Sequence, residues 1–218
     1  MTDGLADEAW EAVQAAGCTE GQTDLCALAV DALIRRVQVV VTVQGEGGVG
    51  KTYAPAKVLR PLICKRYGGR SERALAVQNS AVRVLGGDAT TYHQVTGSRR
   101  GSKQTTATVT ASGHRRGELE ADFEHCLLLC GDEISMVPAA MQYFLHAACI
   151  AGRRGEKEEA EDERLEPPYG GIPVVIMTGD HMQLPPVATT GLTDRSGAPG
   201  SLEIQEGWRV YELSLIHI

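Results

Sequence analysis

The sequence predicts a three-layer α/β domain with a mainly parallel sheet. Five apolar segments are short and nearly continuous, as strands buried on both faces of a parallel sheet usually are. They lie at 37–43, 74–77, 126–130, 173–177 and 209–213. Helical patterns fall between some of them, at 24–36, 53–66 and 136–150. Strands that alternate with helices along a chain are typical of an α/β architecture with helices on the faces of the sheet.

Composition indicates an ordinary globular protein. Of the 218 residues, 43% are hydrophobic and 22% are charged, which excludes a wholly disordered or fibrous chain. The longest apolar runs span only a few residues, far short of the roughly 20 that a membrane helix needs, so we expect no membrane partner. The acidic start has the features of neither a signal peptide nor a transit peptide. The six cysteines form no C-x-x-C pair and predict free thiols in a reducing, intracellular compartment.

The chain divides into an acidic amino-terminal segment, 1–23, and one main domain, 24–213. Two stretches inside the domain have the composition of loops: a basic one at 96–117 and a charged insertion at 152–168. Residues 51–116 carry thirteen lysines and arginines against two acids, whereas both flanks are acidic. Such a basic block is typical of a site that binds a polyanion, but it also arises when solvent-exposed surfaces simply alternate in charge along the chain. The charges alone do not decide between these two interpretations.

The most specific motif covers residues 45–52, where G-x-x-x-x-G-K-T follows the first apolar segment and opens a helix. Glycines let backbone N–H groups approach phosphate oxygens closely, and the helix directs its unpaired N–H groups at the same anion. Lys51 would reach the β- and γ-phosphates, and the Thr52 hydroxyl would ligate Mg²⁺. Pro55, early in the helix, is expected to bend or delay it. The motif predicts a nucleoside triphosphate site formed by Gly45, Glu46, Gly47, Gly48, Val49, Gly50, Lys51 and Thr52.

An acidic pair, Asp132 and Glu133, follows the third apolar segment. Asp132 is expected to hold the metal, and Glu133 to orient and deprotonate the water that attacks the γ-phosphate. Such a pair alone is more often a solvated turn, and the phosphate loop upstream favours the catalytic interpretation. Gly131 is unusual before this pair, because an apolar residue normally ends such a strand.

Gln183 follows the fourth apolar segment, within the sequence GDHMQLPPV at 179–187. Its amide lies where ligands of open α/β sheets bind, beyond the carboxyl ends of the strands. We expect it to contact the γ-phosphate and to report its presence to a neighbouring element.

Four blocks in this order resemble the PIF-type (petite integration frequency) DNA helicases, RecD-like members of helicase superfamily 1. The blocks are GEGGVGKT (45–52), DEISMV (132–137), PYGGIPVV (168–175) and GDHMQLPPV (179–187). The resemblance, over about 35–213, implies a RecA-like P-loop NTPase domain with ATP and Mg²⁺ as fuel. It also implies 5′-to-3′ movement on single-stranded DNA. By matching position, the resemblance assigns catalytic roles to Lys51, Glu133 and Gln183. It assigns metal binding to Thr52 and Asp132.

A further block at 77–94 resembles the DNA-contacting stretch of this family, usually a Thr-Gly pair, two alanines and then G-G-x-T-x-H. This chain has Asn-Ser at the expected Thr-Gly pair and one extra residue in the second part. The alternative is a strand–turn–helix whose histidine is an ordinary structural residue. Gln22 is the candidate for the adenine-reading glutamine that precedes the phosphate loop in this family. The candidate DNA contacts are Asn79, Ser80, Thr91 and His93.

Family members continue into a second motor domain, which supplies arginines that stabilise the transferred γ-phosphoryl group. We expect that domain to be missing from this chain and residues 214–218 to be a non-native tail. Translocation needs two domains whose cleft opens and closes around ATP. We therefore interpret the chain as a weakly active or inactive half of a DNA helicase, or as a nucleotide- and DNA-binding fragment without turnover. The motor half of a relaxase or of a viral replication helicase is a further alternative.

The resemblance also implies a biological setting. It points to DNA repair, recombination and telomere maintenance, and to the nucleus or the mitochondrion if the source is eukaryotic. The sequence leaves the preferred DNA structure and the oligomeric state open.

Overall fold

The computed structural model describes residues 4–97, 113–154, 166–180, 182 and 202–212. Within them lie the strands β1 (Val39–Gln44), β2 (Glu72–Ala76), β3 (Thr90–Thr91), β4 (Leu128–Gly131) and β5 (Val174–Gly179). They form one sheet in the order β1-β5-β4-β2-β3. Every neighbouring pair is parallel, which confirms the predicted α/β class with a parallel sheet.

The helices alternate with these strands. A π-helical turn, Pro55–Leu59, leads into the helix that follows β1, so this helix is distorted at Pro55, as predicted. The α-helices of the described residues are α1 (Leu5–Ala16), α2 (Glu20–Arg35), α3 (Arg60–Tyr67), α4 (Asn79–Leu85), α5 (Tyr92–Thr96), α6 (Gly113–Phe123), α7 (Ala139–Arg154) and α8 (Leu202–Glu212).

Helices cover both faces of the sheet, because successive residues of a strand point to opposite sides. On one side, Val41 and Ile176 pack with α1, α2 and α3 in a core of aliphatic side chains. On the other side, Val40 and Val175 pack with α5, α6, α7 and α8 in a core that also holds aromatic rings. This arrangement is the three-layer architecture that the sequence predicts.

The amino-terminal helices belong to the packed structure. Leu5, Ala9 and Val13 recur along one face of α1 and are buried. The boundary expected after residue 23 falls inside α2. Residues 5–35 therefore form a helical pair that packs on the sheet.

The predicted strand at 209–213 is wrong, because its residues 209–212 form the end of α8. Ile204, Trp208 and Tyr211 recur at helical spacing and pack on the core. A five-residue window was too short to reveal this period. Gly207 lets α8 lie directly against the backbone of Ala139, where a Cβ would overlap the carbonyl group.

Each of the two predicted loops is shorter than expected, because a helix extends into the end of it that the structure describes. Helix α6 begins at Gly113, inside the basic loop 96–117, and α7 continues to Arg154, inside the charged insertion 152–168. Residues 98–112, 155–165 and 213–218 lie outside the described residues.

All six cysteines are free. Burial raises the pKa of Cys26 and Cys126 to about 12, so these two thiols stay protonated and unreactive at neutral pH.

In the described part of the chain, no helix combines the length and the apolar character that crossing a membrane requires.

Candidate functional site

The loop at 45–52 leaves the carboxyl end of β1 and closes around its own lysine. Lys51 Nζ donates hydrogen bonds to the carbonyl oxygens of Gly45 and Glu46, both at 2.7 Å. Gly48 and Gly50 each have a φ of 83°, a left-handed conformation that glycine adopts at little cost. The loop therefore keeps a positive charge against glycine backbone, a combination that suits a phosphate group.

Gln22 fastens this loop to the amino end of α2. Its Nε2 donates to the Gly50 carbonyl at 3.0 Å, and its Oε1 accepts from the Thr19 N–H at 3.0 Å. A Cβ at position 50 would lie 2.8 Å from Nε2, so a larger residue there would displace the end of the Gln22 side chain from the loop. Gln22 thus supports the phosphate loop, and its contact with adenine stays a prediction.

Two threonine hydroxyls converge on one oxygen of Asp132, just beyond the end of β4. Thr52 Oγ1 lies 2.9 Å and Thr178 Oγ1 lies 2.6 Å from Asp132 Oδ1. The three residues meet because β5, which carries Thr178, lies between β1 and β4. Sequence reasoning found Thr52 and Asp132 but missed Thr178. Its only signal was a hydroxyl near the carboxyl end of a buried strand, directly before a Gly-Asp pair.

Glu133 is strained and poorly solvated next to Asp132. Its φ is 56°, and a left-handed backbone costs a non-glycine residue about 1–3 kcal/mol. Its Oε2 is buried and has no hydrogen-bond partner within the described ranges. Burial raises the pKa of the Glu133 carboxyl, the negative charge of Asp132 raises it further, and Lys51 opposes both. A carboxylate with a raised pKa and an unused oxygen is suited to accept a proton.

Tyr92 explains the unusual glycine at the end of β4. A Cβ at Gly131 would overlap the Tyr92 hydroxyl and the Met177 sulfur. The Tyr92 hydroxyl is buried and donates a weak hydrogen bond to Met177 Sδ at 3.8 Å. The tyrosine therefore fills the space that an apolar side chain at 131 would take. It joins the 77–94 block to β4, the strand that leads to Asp132.

A buried ion pair holds the carboxyl end of α4. Arg60 Nε lies 2.6 Å from Glu72 Oε2, and Arg60 Nη2 lies 3.0 Å from Glu72 Oε1. The same guanidinium donates to the carbonyl oxygens of Leu85 at 2.7 Å and Gly86 at 3.2 Å. Arg60 therefore fixes the backbone of the turn that follows α4, inside the 77–94 block.

The sequence model of the PIF1-like helicase family matches residues 18–212, nearly the whole chain. The chain belongs to this family. No curated protein sequence matches it.

Solved Pif1 helicases share the fold. The Pif1 helicase from Candida albicans has a TM-score of 0.55 at 22% identity, over 78% of this chain and 34% of that one. Bacteroides Pif1 in complex with ADP-AlF3 and ssDNA has a TM-score of 0.52 at 26% identity, over 78% and 34%. Bacteroides sp Pif1 in complex with ADP-AlF4 has a TM-score of 0.51 at 23% identity, over 78% and 34%. The likeness confirms the predicted RecA-like fold, and the chain spans about a third of the length of these structures.

Within this PIF1-like domain, three of the four candidate DNA contacts are exposed. Asn79 and Ser80 begin α4, and His93 lies in α5; all three face solvent. Thr91 is buried, and its hydroxyl accepts from the Gln94 N–H at 3.2 Å to cap α5. Thr91 therefore already has a structural role, and a contact of any of the four with DNA stays a prediction.

Gln183 lies outside the described residues. Strand β5 leads towards it and ends at Gly179. Asp180 then accepts a hydrogen bond from the Met182 N–H at 2.9 Å. The chain thus leaves the sheet next to Thr178, and the role of Gln183 stays a prediction.

Proposed function

We propose that this chain is the amino-terminal motor domain of an ATP-driven DNA helicase that moves 5′ to 3′ on single-stranded DNA. The observation that carries the proposal is the convergence of Thr52 and Thr178 on Asp132, beside the loop that holds Lys51. Such a site combines a phosphate loop with a metal-binding carboxylate, as nucleoside triphosphate hydrolysis requires. Membership of the PIF1-like helicase family supports DNA as the track.

The residues of this site fit Mg²⁺. The Thr52 hydroxyl and the Asp132 carboxylate are hard oxygen donors, and Mg²⁺ usually takes one or two protein carboxylates plus phosphates and water. Among the residues that the structure describes, there is no cluster of three or more His, Cys, Asp or Glu side chains that could hold a metal alone. When bound with ATP, Mg²⁺ would neutralise charge on the β- and γ-phosphates.

Lys51, Glu133 and Gln183 would supply the other groups for hydrolysis. Lys51 would offset the negative charge that develops on the γ-phosphate. Glu133 would orient the attacking water and accept its proton, and burial makes it a stronger base because it raises the pKa of its carboxyl. Gln183 would contact the γ-phosphate and couple nucleotide state to DNA.

Exposed polar and basic side chains support DNA binding. One solved relative, Bacteroides Pif1, contains ssDNA together with ADP-AlF3. In this chain the candidate contacts Asn79, Ser80 and His93 are exposed. The same part of the chain carries the exposed cations Lys57, Lys65, Arg70 and Arg83. These cations would attract the DNA backbone, so binding should weaken as the salt concentration rises.

ATP hydrolysis with and without single-stranded DNA tests the proposal. We expect DNA to stimulate turnover and Glu133→Gln to abolish it while nucleotide binding is retained. Glu124→Gln, at an exposed glutamate, should leave turnover unchanged. Measurable turnover that is equal in Glu133→Gln and in the unsubstituted chain would contradict the assigned base.

A second candidate is a nucleotide- and DNA-binding domain that turns over only with a partner domain. The observation that favours it is the length of the chain, about a third of the solved relatives. Binding of both ligands without turnover would support this candidate over the first. Turnover by the chain alone would exclude it.

The direction of movement along DNA and the biological role are properties of the whole protein. We propose that the whole protein acts in DNA repair, recombination and telomere maintenance, and that it lies in the nucleus or the mitochondrion if its source is eukaryotic. A form that contains both motor domains should unwind a duplex with a 5′ overhang and not one with a 3′ overhang. The opposite preference would contradict the proposed direction.

A further inference from the structure

Asp132 receives both nearby hydroxyl protons on the same oxygen. Each threonine has one hydroxyl proton, and the closest acceptor for both is Asp132 Oδ1, at 2.9 Å from Thr52 Oγ1 and 2.6 Å from Thr178 Oγ1. The alternative acceptors of Thr178, the Gly131 carbonyl and the Thr52 hydroxyl, are farther away, at 3.4 and 3.5 Å. A distance of 2.6 Å is typical of a charge-assisted bond from a hydroxyl to a carboxylate. Because Oδ1 is used in this way, Oδ2 is the oxygen left for a metal or its water.

The two threonines differ in how firmly they are held. Thr52 lies in the phosphate loop, is partly exposed and is itself a candidate metal ligand. Thr178 is 2% exposed, in a strand paired on both sides, with β1 and with β4. The terminal torsion of an aspartate is broad, so a hydroxyl on a rigid strand is the group that can fix it.

We propose that Thr178 is a positioning residue that sets the Asp132 carboxylate for Mg²⁺ and thereby sets the metal affinity of the nucleotide site. The inference rests on the proposed function, because it needs Asp132 to be the metal carboxylate. Thr178 touches neither nucleotide nor metal in this account and acts through Asp132 alone. Residues that orient metal ligands in this way typically change metal affinity by about 10–100-fold when removed.

The test separates metal affinity from nucleotide affinity. A fluorescent ADP analogue is titrated into the chain in EDTA, and its binding is then followed as Mg²⁺ is added. In Thr178→Val, which keeps the shape and removes the donor, we expect half-saturation to need at least about tenfold more Mg²⁺. Affinity for the analogue in EDTA should stay as in the unsubstituted chain, and Thr178→Ser should restore the Mg²⁺ response.

Thr96→Val is the matched control. Thr96 is 1% exposed and donates to the Tyr92 carbonyl at 2.8 Å, so it tests the loss of a buried hydroxyl away from Asp132. An unchanged Mg²⁺ response in folded Thr178→Val, checked by thermal unfolding, would overturn the inference. Failure of Thr178→Ser to restore the response would overturn it too. An equal loss of affinity for the analogue in EDTA would also overturn the inference, because general damage to the site lowers this affinity whether or not Mg²⁺ is present.

Lys51→Ala distinguishes this inference from the proposed function. If Lys51→Ala binds the analogue as tightly as the unsubstituted chain does, the phosphate site itself is wrong. If Lys51→Ala loses binding and Thr178→Val keeps a normal Mg²⁺ response, only the role of Thr178 is wrong.

Discussion

We define the nucleotide edge as the loop 45–52 with Asp132 and Thr178. Its functional side chains form hydrogen bonds within the edge itself. Those of the candidate DNA stretch, residues 78–97, are mostly exposed to solvent. At the nucleotide edge two hydroxyls meet on one carboxylate oxygen, and a lysine bonds its own loop. In the candidate DNA stretch, the buried guanidinium of Arg60 bonds the backbone that follows α4, and Thr91 caps α5, while Asn79, Ser80 and His93 face solvent.

The sizes of the two proposed ligands would account for this difference. A phosphate–metal group is small, so its ligands can be oriented in advance by bonds among themselves and lose little when it binds. Side chains that contact the backbone of a polymer should be free of other hydrogen bonds. A side chain that is already bonded within the protein has to break that bond before it can bind the polymer. The candidate DNA stretch therefore fixes the backbone and leaves the side chains exposed.

The largest expected effect comes from breaking the support beneath the candidate DNA stretch. Arg60→Met leaves Glu72 buried without its partner, which typically costs about 3–5 kcal/mol of unfolding free energy. Urea denaturation measures this loss. Arg35→Met is the control, because Arg35 pairs with Asp31 at 2.7 Å on the surface, and such pairs are worth less than about 1 kcal/mol. Similar losses in both variants would contradict a fixed backbone in this region.

A smaller effect is expected where the candidate DNA stretch contacts β4, directly before Asp132 of the nucleotide edge. Gly131→Ala places a Cβ against the Tyr92 hydroxyl, and such overpacking costs about 1–3 kcal/mol. Combining it with Tyr92→Phe should recover part of the loss, because the hydroxyl is gone. Gly117→Ala, at an exposed glycine of α6 with open space around it, should instead stabilise the chain by roughly 0.5–1 kcal/mol. Additive losses in the double variant would show that the two side chains do not meet.

The smallest effect is expected from the exposed side chains themselves. His93→Ala removes at most one or two hydrogen bonds to DNA, and a typical net bond of about 0.5–1.5 kcal/mol corresponds to a loss of roughly two- to tenfold in affinity. Fluorescence anisotropy with labelled single-stranded DNA measures it, and nucleotide affinity should not change. His125→Ala, at an exposed histidine of another segment, should have no effect on either. If His125→Ala weakens DNA binding as much, position 93 has no special role.

Local chemistry made the nucleotide edge predictable. The residue types and spacing of the motif at 45–52 and of the acids after the third apolar segment indicate their proposed roles, and parallel strands bring their carboxyl ends to one edge. Thr178 was missed because its contact with Asp132 comes from the pairing of β5 with β4, which no short window contains. The same holds for the fit of Tyr92 against Gly131, residues that are far apart in the sequence.

Errors elsewhere came from windows that were too short. The segment 209–213 has the apolar content of a strand, and only the longer range 202–212 shows the helical spacing of its buried residues. Strand β3 has two residues, too few for any period to appear. In both cases packing against the rest of the domain decides the structure, as it does for most short elements.

Nucleotide binding by Lys51→Ala tests the central claim most directly. Calorimetric titration with a non-hydrolysable ATP analogue and Mg²⁺ should show binding to the unsubstituted chain and to Lys57→Ala, which changes an exposed lysine six residues further on. Lys51→Ala should lose roughly tenfold to hundredfold in affinity, as expected for bonds from a charged group to phosphate. Equal affinity in all three proteins, or no binding by the unsubstituted chain, would contradict the nucleotide site and the motor function proposed from it.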